Sequence, residues 1–151
     1  LGLLSTTVAF DIVGHAQADA EWFCISFWMI AAGIIGGLLA AVFGLVDLLA
    51  IPSGTRAQKI ALLHRGGNVV VVLCFIASWF LRRPRPENPP SGAFVLSFVA
   101  VALAVITGWL GGELVYRLGV GVDQNAHVNA PSSLSGRPAK QAATEGPRFA
   151  A

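Results

Sequence analysis

Few residues in this chain have the chemistry to act on anything, and most of them sit beside long apolar runs. His64 and Asn68 are four residues apart, which on a helix puts an imidazole and a carboxamide on one face. Asp47 and Glu113 each close an uncharged stretch. Imidazole ligates metals and carries protons, and an acid beside it can orient it or take the proton. His64, Asn68, Asp47 and Glu113 are therefore the candidate cofactor-binding residues, and His64 is the candidate metal ligand. Two further histidines, His15 and His127, lie outside the apolar runs. Cys24 and Cys74 each lie inside one and lack a CxxC partner, so they read as buried, inert thiols. Ser132, Ser133 and Ser135 have no base nearby in sequence. There is no HExxH, no phosphate-cradling glycine loop and no GxSxG. These absences lead to the expectation of a non-enzyme.

The elements that must position these residues are apolar helices. The hydrophobic fraction is 55% and the charged fraction 12%, with a mean hydropathy of +0.70. A water-facing domain carries roughly 25% charged residues, so the expected solvent is a lipid bilayer. The formal net charge of +2 is not gathered into a basic stripe, which excludes a nucleic-acid footprint. Residues 22–46, 66–81 and 88–112 contain no Asp, Glu, Lys or Arg. As helices they can each reach across the ~30 Å bilayer core, with the third apolar from about Ala93 and the second extended by the amphipathic stretch from Ala57. The first run, Leu1 to Val13, is too short to span and lacks the features of a signal peptide. It reads as the second half of a helix whose first half is missing.

The expected fold is thus all-α: a transmembrane four-helix bundle, its first helix partial, with an extended C-terminal tail. Helices are expected near 1–14, 22–50, 57–82 and 92–118. The bundle should occupy residues 1–122 and a polar Pro/Ser/Ala-rich tail residues 123–151. Pro52 ends the second helix, and Ser53 or Thr55 can cap the third. Small residues recur every fourth position at Ala32, Gly36, Ala40 and Gly44, and again at Ala100, Ala104, Gly108 and Gly112. Such stripes let membrane helices approach closely, so the second and fourth helices are expected to touch through them.

Short loops make neighbouring helices antiparallel. Asp47, His64, Asn68, Glu113, Arg56, Lys59, Arg65 and Arg117 then share one membrane level, called here side A. Asp11, His15, Asp19, Glu21, Arg82, Arg83 and Arg85 share the other, side B. A slight excess of Lys and Arg favours side A as cytoplasmic, with loop 51–56 and the C-terminus on that face. Trp22, Trp28, Trp79, Trp109 and Tyr116 lie mostly near helix ends, as interface anchors do. Two readings of side A stay open. It is an ion-pair and hydrogen-bond network locking helix ends, or a site for a proton, a metal, a quinone headgroup or a haem b edge. Bis-histidine ligation would need a second histidine at the depth of His64. His15 lies on side B and His127 in the tail.

Three segments carry a family resemblance. They are Phe27-Trp28-Met29-Ile30-Ala31-Ala32-Gly33 leading to Gly44-Leu45-Val46-Asp47; Gly54-Thr55-Arg56 with His64 and Gly67-Asn68; and Thr107-Gly108-Trp109-Leu110-Gly111-Gly112-Glu113-Leu114-Val115-Tyr116 continuing to Gly119-Val120-Gly121-Val122. From Leu1 to about Val122 the chain resembles the bacterial four-helix membrane proteins known as domain of unknown function 2231. The resemblance implies a multi-pass protein of the bacterial inner membrane with no established activity. Members usually begin the first helix with a His-Pro pair, absent here, whose histidine would enter from side A near His64. Some carry a Rieske-type iron–sulfur domain after the bundle, which implies electron-transfer membranes; this tail has no cysteine. The expected function is a non-catalytic accessory subunit of a larger respiratory or photosynthetic complex; the alternative is electron or proton transfer at the His64/Asp47/Glu113 cluster. A tail of this composition buries too little to fold alone. It is expected to run along another subunit of that complex, with Leu134 and Phe149 as apolar anchors and Arg137, Lys140 and Arg148 as ionic ones.

Overall fold

The computed structural model describes residues 1–142. Four helices make up most of it: α1 (Gly2–Gln17), α2 (Glu21–Ala50), α3 (Arg56–Arg82) and α4 (Ser91–Tyr116). Two short 3-10 turns follow, Ser133–Ser135 and Ala139–Ala142, and there is no strand among the described residues. Of the expected tail anchors, Leu134 is almost fully exposed, whereas Arg148 and Phe149 lie outside the described residues.

Local chemistry explains the boundaries. The α1–α2 turn closes with Ala18 at φ 51°, and the N–H of Asp19 reaches the carbonyl of Gly14 at 3.1 Å. The Asp19 carboxylate then accepts the N–H of Glu21 at 3.0 Å, satisfying a donor in the first turn of α2. Of the two candidate caps for α3 it is Thr55 that acts, its Oγ1 accepting from the Gln58 N–H at 3.1 Å. Gln58 Oε1 reaches back to the N–H of Gly54, which turns the chain at φ 78°. After α4 the N–H groups of Gly119 and Val120 bond the carbonyls of Val115 and Leu114, with Gly119 at φ 65°.

The helices form a sequential ring. α3 lies against α4 and α1 against the first half of α2; α2 meets α3 more lightly, and α1 meets α4 least. The expected pairing of α2 with α4 is therefore corrected: the two are diagonal across the ring and make at most marginal contact. Ala100 and Ala104 are buried in a core shared with Leu4 of α1, Ile30 of α2, and Val71 and Phe75 of α3. A Cβ added at Gly36, Gly44 or Gly108 would meet nothing. The glycines that do permit close approach are others. A Cβ on Gly33 would lie 2.5 Å from Leu4, and one on Gly14 2.6 Å from the ring of Phe23, so these two set the α1–α2 spacing.

Three helices, α2, α3 and α4, are long and apolar enough to cross a membrane. α1, with 16 residues, reaches about 24 Å at the helical rise, short of the ~30 Å core. α1 covers α2 only from Gly33 towards Phe23, and residues 38–47 of α2 are exposed throughout. In water such a surface would aggregate; in a bilayer, acyl chains or another helix cover it.

Candidate functional site

At side A, α3 and α4 bring together His64, Asn68 and Thr107. His64 Nδ1 lies 2.7 Å from the main-chain oxygen of Thr107. A carbonyl only accepts, so Nδ1 carries the proton and Nε2 presents its lone pair. Asn68 Nδ2 donates to that lone pair at 3.1 Å. Asn68 Oδ1 in turn accepts from the Thr107 hydroxyl at 3.1 Å, which also lies 3.0 Å from the Ala104 carbonyl. Both ring nitrogens are thus occupied by the chain's own groups. Two glycines make this possible. A Cβ on Gly111 would stand 2.9 Å from Cε1 of His64, and one on Gly67 would overlap the methyl group of Thr107.

The other residues expected at this level divide. Glu113 pairs with Arg56 at 2.6 Å, on the rim, where the Arg56 side chain is 62% exposed. Asp47 is exposed and makes no side-chain hydrogen bond or ion pair among the described residues. The structure therefore joins His64 to Asn68 and Glu113 to Arg56, and joins Asp47 to neither. Cys24 and Cys74 are half-buried free thiols. Among the described residues no group of three or more His, Cys, Asp and Glu side chains converges as a metal site would require.

Side B holds the more deeply buried charges. Asp11 on α1 and Arg82 on α3 are 1% and 0% exposed and form a bidentate pair, with NH1–Oδ1 at 2.8 Å and NH2–Oδ2 at 2.6 Å. Arg82 Nε donates to Ser78 Oγ at 3.2 Å and NH2 to Ser97 Oγ at 3.3 Å. The Ser78 and Ser97 hydroxyls also lie within reach of the Ala93 carbonyl. The guanidinium sits over the Phe94 ring, 4.9 Å from its centroid. The pair spans the α1–α3 diagonal of the ring, and the serines tie it to α4. Among the described residues, Trp79 Nε1 is the only buried side-chain polar atom left without a partner. An apolar layer of Val71, Phe75, Ala100 and Ala104 separates the two networks. From Ser97 to Thr107 that layer is about 15 Å deep along α4.

Reading the residues alone placed Asp11 and Arg82 on the same side but did not pair them, and it gave Ser78, Ser97 and Thr107 no role in a site. The signal was present. An acid inside the apolar run Leu1–Val13 needs a counter-charge at its own depth, and Ser78 and Arg82 are four residues apart on one helix face.

The model of the family described as "Predicted membrane protein (DUF2231)" matches residues 1–124. The chain belongs to that family, and it is a membrane protein with three candidate spans. No curated protein and no solved structure matches it.

Proposed function

We propose that this chain is a non-catalytic membrane subunit, a helical bundle that docks within a larger membrane assembly. The observation carrying this reading is the closed circuit at His64. With Nδ1 donating to Thr107 and Nε2 accepting from Asn68, ligation of a metal or haem iron through Nε2 would keep the Thr107 carbonyl bond but displace the Asn68 amide, breaking the chain from the ring through Asn68 to the Thr107 hydroxyl. The network behaves as a lock between α3 and α4. The exposed apolar length of α2, with its unpartnered Gly36 and Gly44, supports docking, since small residues on a lipid-facing helix admit another helix closely. The Rieske-bearing members of the family make an electron-transfer membrane of the bacterial inner membrane the setting this reading implies.

The test is a visible absorption spectrum and metal analysis of the purified protein, alongside the His64→Ala variant. The expected result is no stoichiometric chromophore or metal, and a variant with a lower unfolding midpoint. A stoichiometric band or metal that disappears in His64→Ala overturns the reading. Native-gel migration after mild solubilisation tests the docking half. Migration above the mass of the chain with its detergent micelle is expected, and migration at that mass refutes docking.

A further inference from the structure

The side B mouth of the bundle contains a recess beside the Asp11–Arg82 network, which shares Phe94 with it. His15 projects there from the end of α1. Its ring meets Phe94 and Phe23 edge-on, with centroids 4.6 and 5.0 Å away. Its Nδ1 lies 2.8 Å from the main-chain oxygen of Asp11, so Nδ1 donates there, and in the neutral ring Nε2 is the acceptor. Unlike that of His64, this Nε2 has no partner among the described residues. His15 borders a cleft of about 500 Å³, also lined by Glu87, Asn88, Ser91, Phe23 and Phe94. No Lys or Arg lines that cleft. On the other side of the His15–Phe94 pair lies a second open cleft of about 490 Å³, between α1 and α4. Its Ile12 and Phe98 stand about one helical turn deeper than His15 and Phe94.

The geometry points to a seat for a phospholipid with a primary ammonium headgroup, such as phosphatidylethanolamine. Two exposed groups in the polar cleft offer acceptors, the neutral His15 ring at Nε2 and the Glu87 carboxylate, and the carboxylate also attracts a positive charge. An ammonium group supplies both the donors and the charge. The Ser91 hydroxyl and the first turn of α4, whose N-cap Pro90 supplies no side-chain cap, offer donors to the adjoining phosphodiester. The second cleft, mostly apolar at Ile12 and Phe98 and bordered by an Asp11 whose carboxylate is taken up by Arg82, takes the start of an acyl chain. α1 and α4 form the thinnest interface of the ring, which leaves this groove open to the bilayer. An anionic headgroup would face Glu87 without a cation to offset it. A trimethylated headgroup carries the charge but has no N–H to give.

The full chain, purified in detergent, is exchanged into nanodiscs containing equal parts phosphatidylethanolamine, phosphatidylcholine and phosphatidylglycerol. Lipids retained after release are counted by native mass spectrometry. The expected result is retention of phosphatidylethanolamine about ten-fold over phosphatidylcholine, the scale of one charge-assisted hydrogen bond. Glu87→Gln should erase most of that preference with no change in thermal midpoint, because Glu87 is exposed and makes no side-chain hydrogen bond or ion pair among the described residues. His15→Phe, which preserves the aromatic packing, should do the same. Equal retention of phosphatidylethanolamine and phosphatidylcholine overturns the assignment, and so does a preference that survives both substitutions. Competition by free phosphoethanolamine at the same concentration as the lipid overturns the acyl-chain half.

Discussion

Asp11→Asn removes a charge from the side B pair with almost no change in shape. Arg82 then keeps its bonds to Ser78 and Ser97 but loses the carboxylate that takes both guanidinium arms at 2.8 and 2.6 Å. Neutral interhelical hydrogen bonds in membranes are worth about 0.6 kcal/mol on average, because the separated helices find other partners. A buried cation stripped of its counter-ion is a different case, and breaking one side of a buried pair costs about 3–5 kcal/mol. The larger figure applies here because both side chains are essentially inaccessible. A loss on that scale corresponds to roughly two to four orders of magnitude in the folding equilibrium. Unfolding in bicelles with increasing dodecyl sulfate, followed by far-ultraviolet circular dichroism, measures it. The double variant Asp11→Leu/Arg82→Met should recover most of the loss, since replacing both partners by apolar groups leaves no charge unpaired. A loss below about 1 kcal/mol for Asp11→Asn would mean that water or lipid headgroups solvate the pair. The account of three helices tied together at this point would then be wrong.

Gly67→Ala drives a methyl group into Thr107 and should cost about 1–3 kcal/mol by overpacking. Gly36→Ala and Gly108→Ala, with open space around them, should be neutral or gain up to ~1 kcal/mol of helix propensity; the same unfolding assay ranks all three. Ala18→Gly relieves a non-glycine residue held at φ 51° and should raise stability by a few tenths to ~1 kcal/mol. An unchanged or lower midpoint would contradict that strain. Arg56→Ala breaks an ion pair whose arginine is mostly exposed and should cost no more than about 1 kcal/mol, a loss that shrinks in high salt.

Uncharged runs, a proline and a cap signal left open between Ser53 and Thr55 were enough to place the helix ends to within a few residues, as at α3 and α4. Apolar length and cap chemistry are local, and local signals survive in a linear sequence. The sharing of each membrane level was also legible. Arg56, His64 and Glu113 fall at one end and Asp11 and Arg82 at the other, because short loops force antiparallel neighbours. The partner of each face was not legible. In a bilayer the lipid-facing side of a helix is as apolar as the packed side, so a stripe such as Gly36-Ala40-Gly44 carries no mark of what covers it. Tertiary structure alone decided that α4 packs on α3, that Gly67 and Gly111 rather than Gly36 and Gly108 admit a neighbour, and that Asp47 stands apart. It also decided the Asp11–Arg82 pair, whose members belong to diagonal helices 71 positions apart. Hydropathy assigns a charge its depth, but only the rotation of each helix about its axis determines which counter-charge it meets.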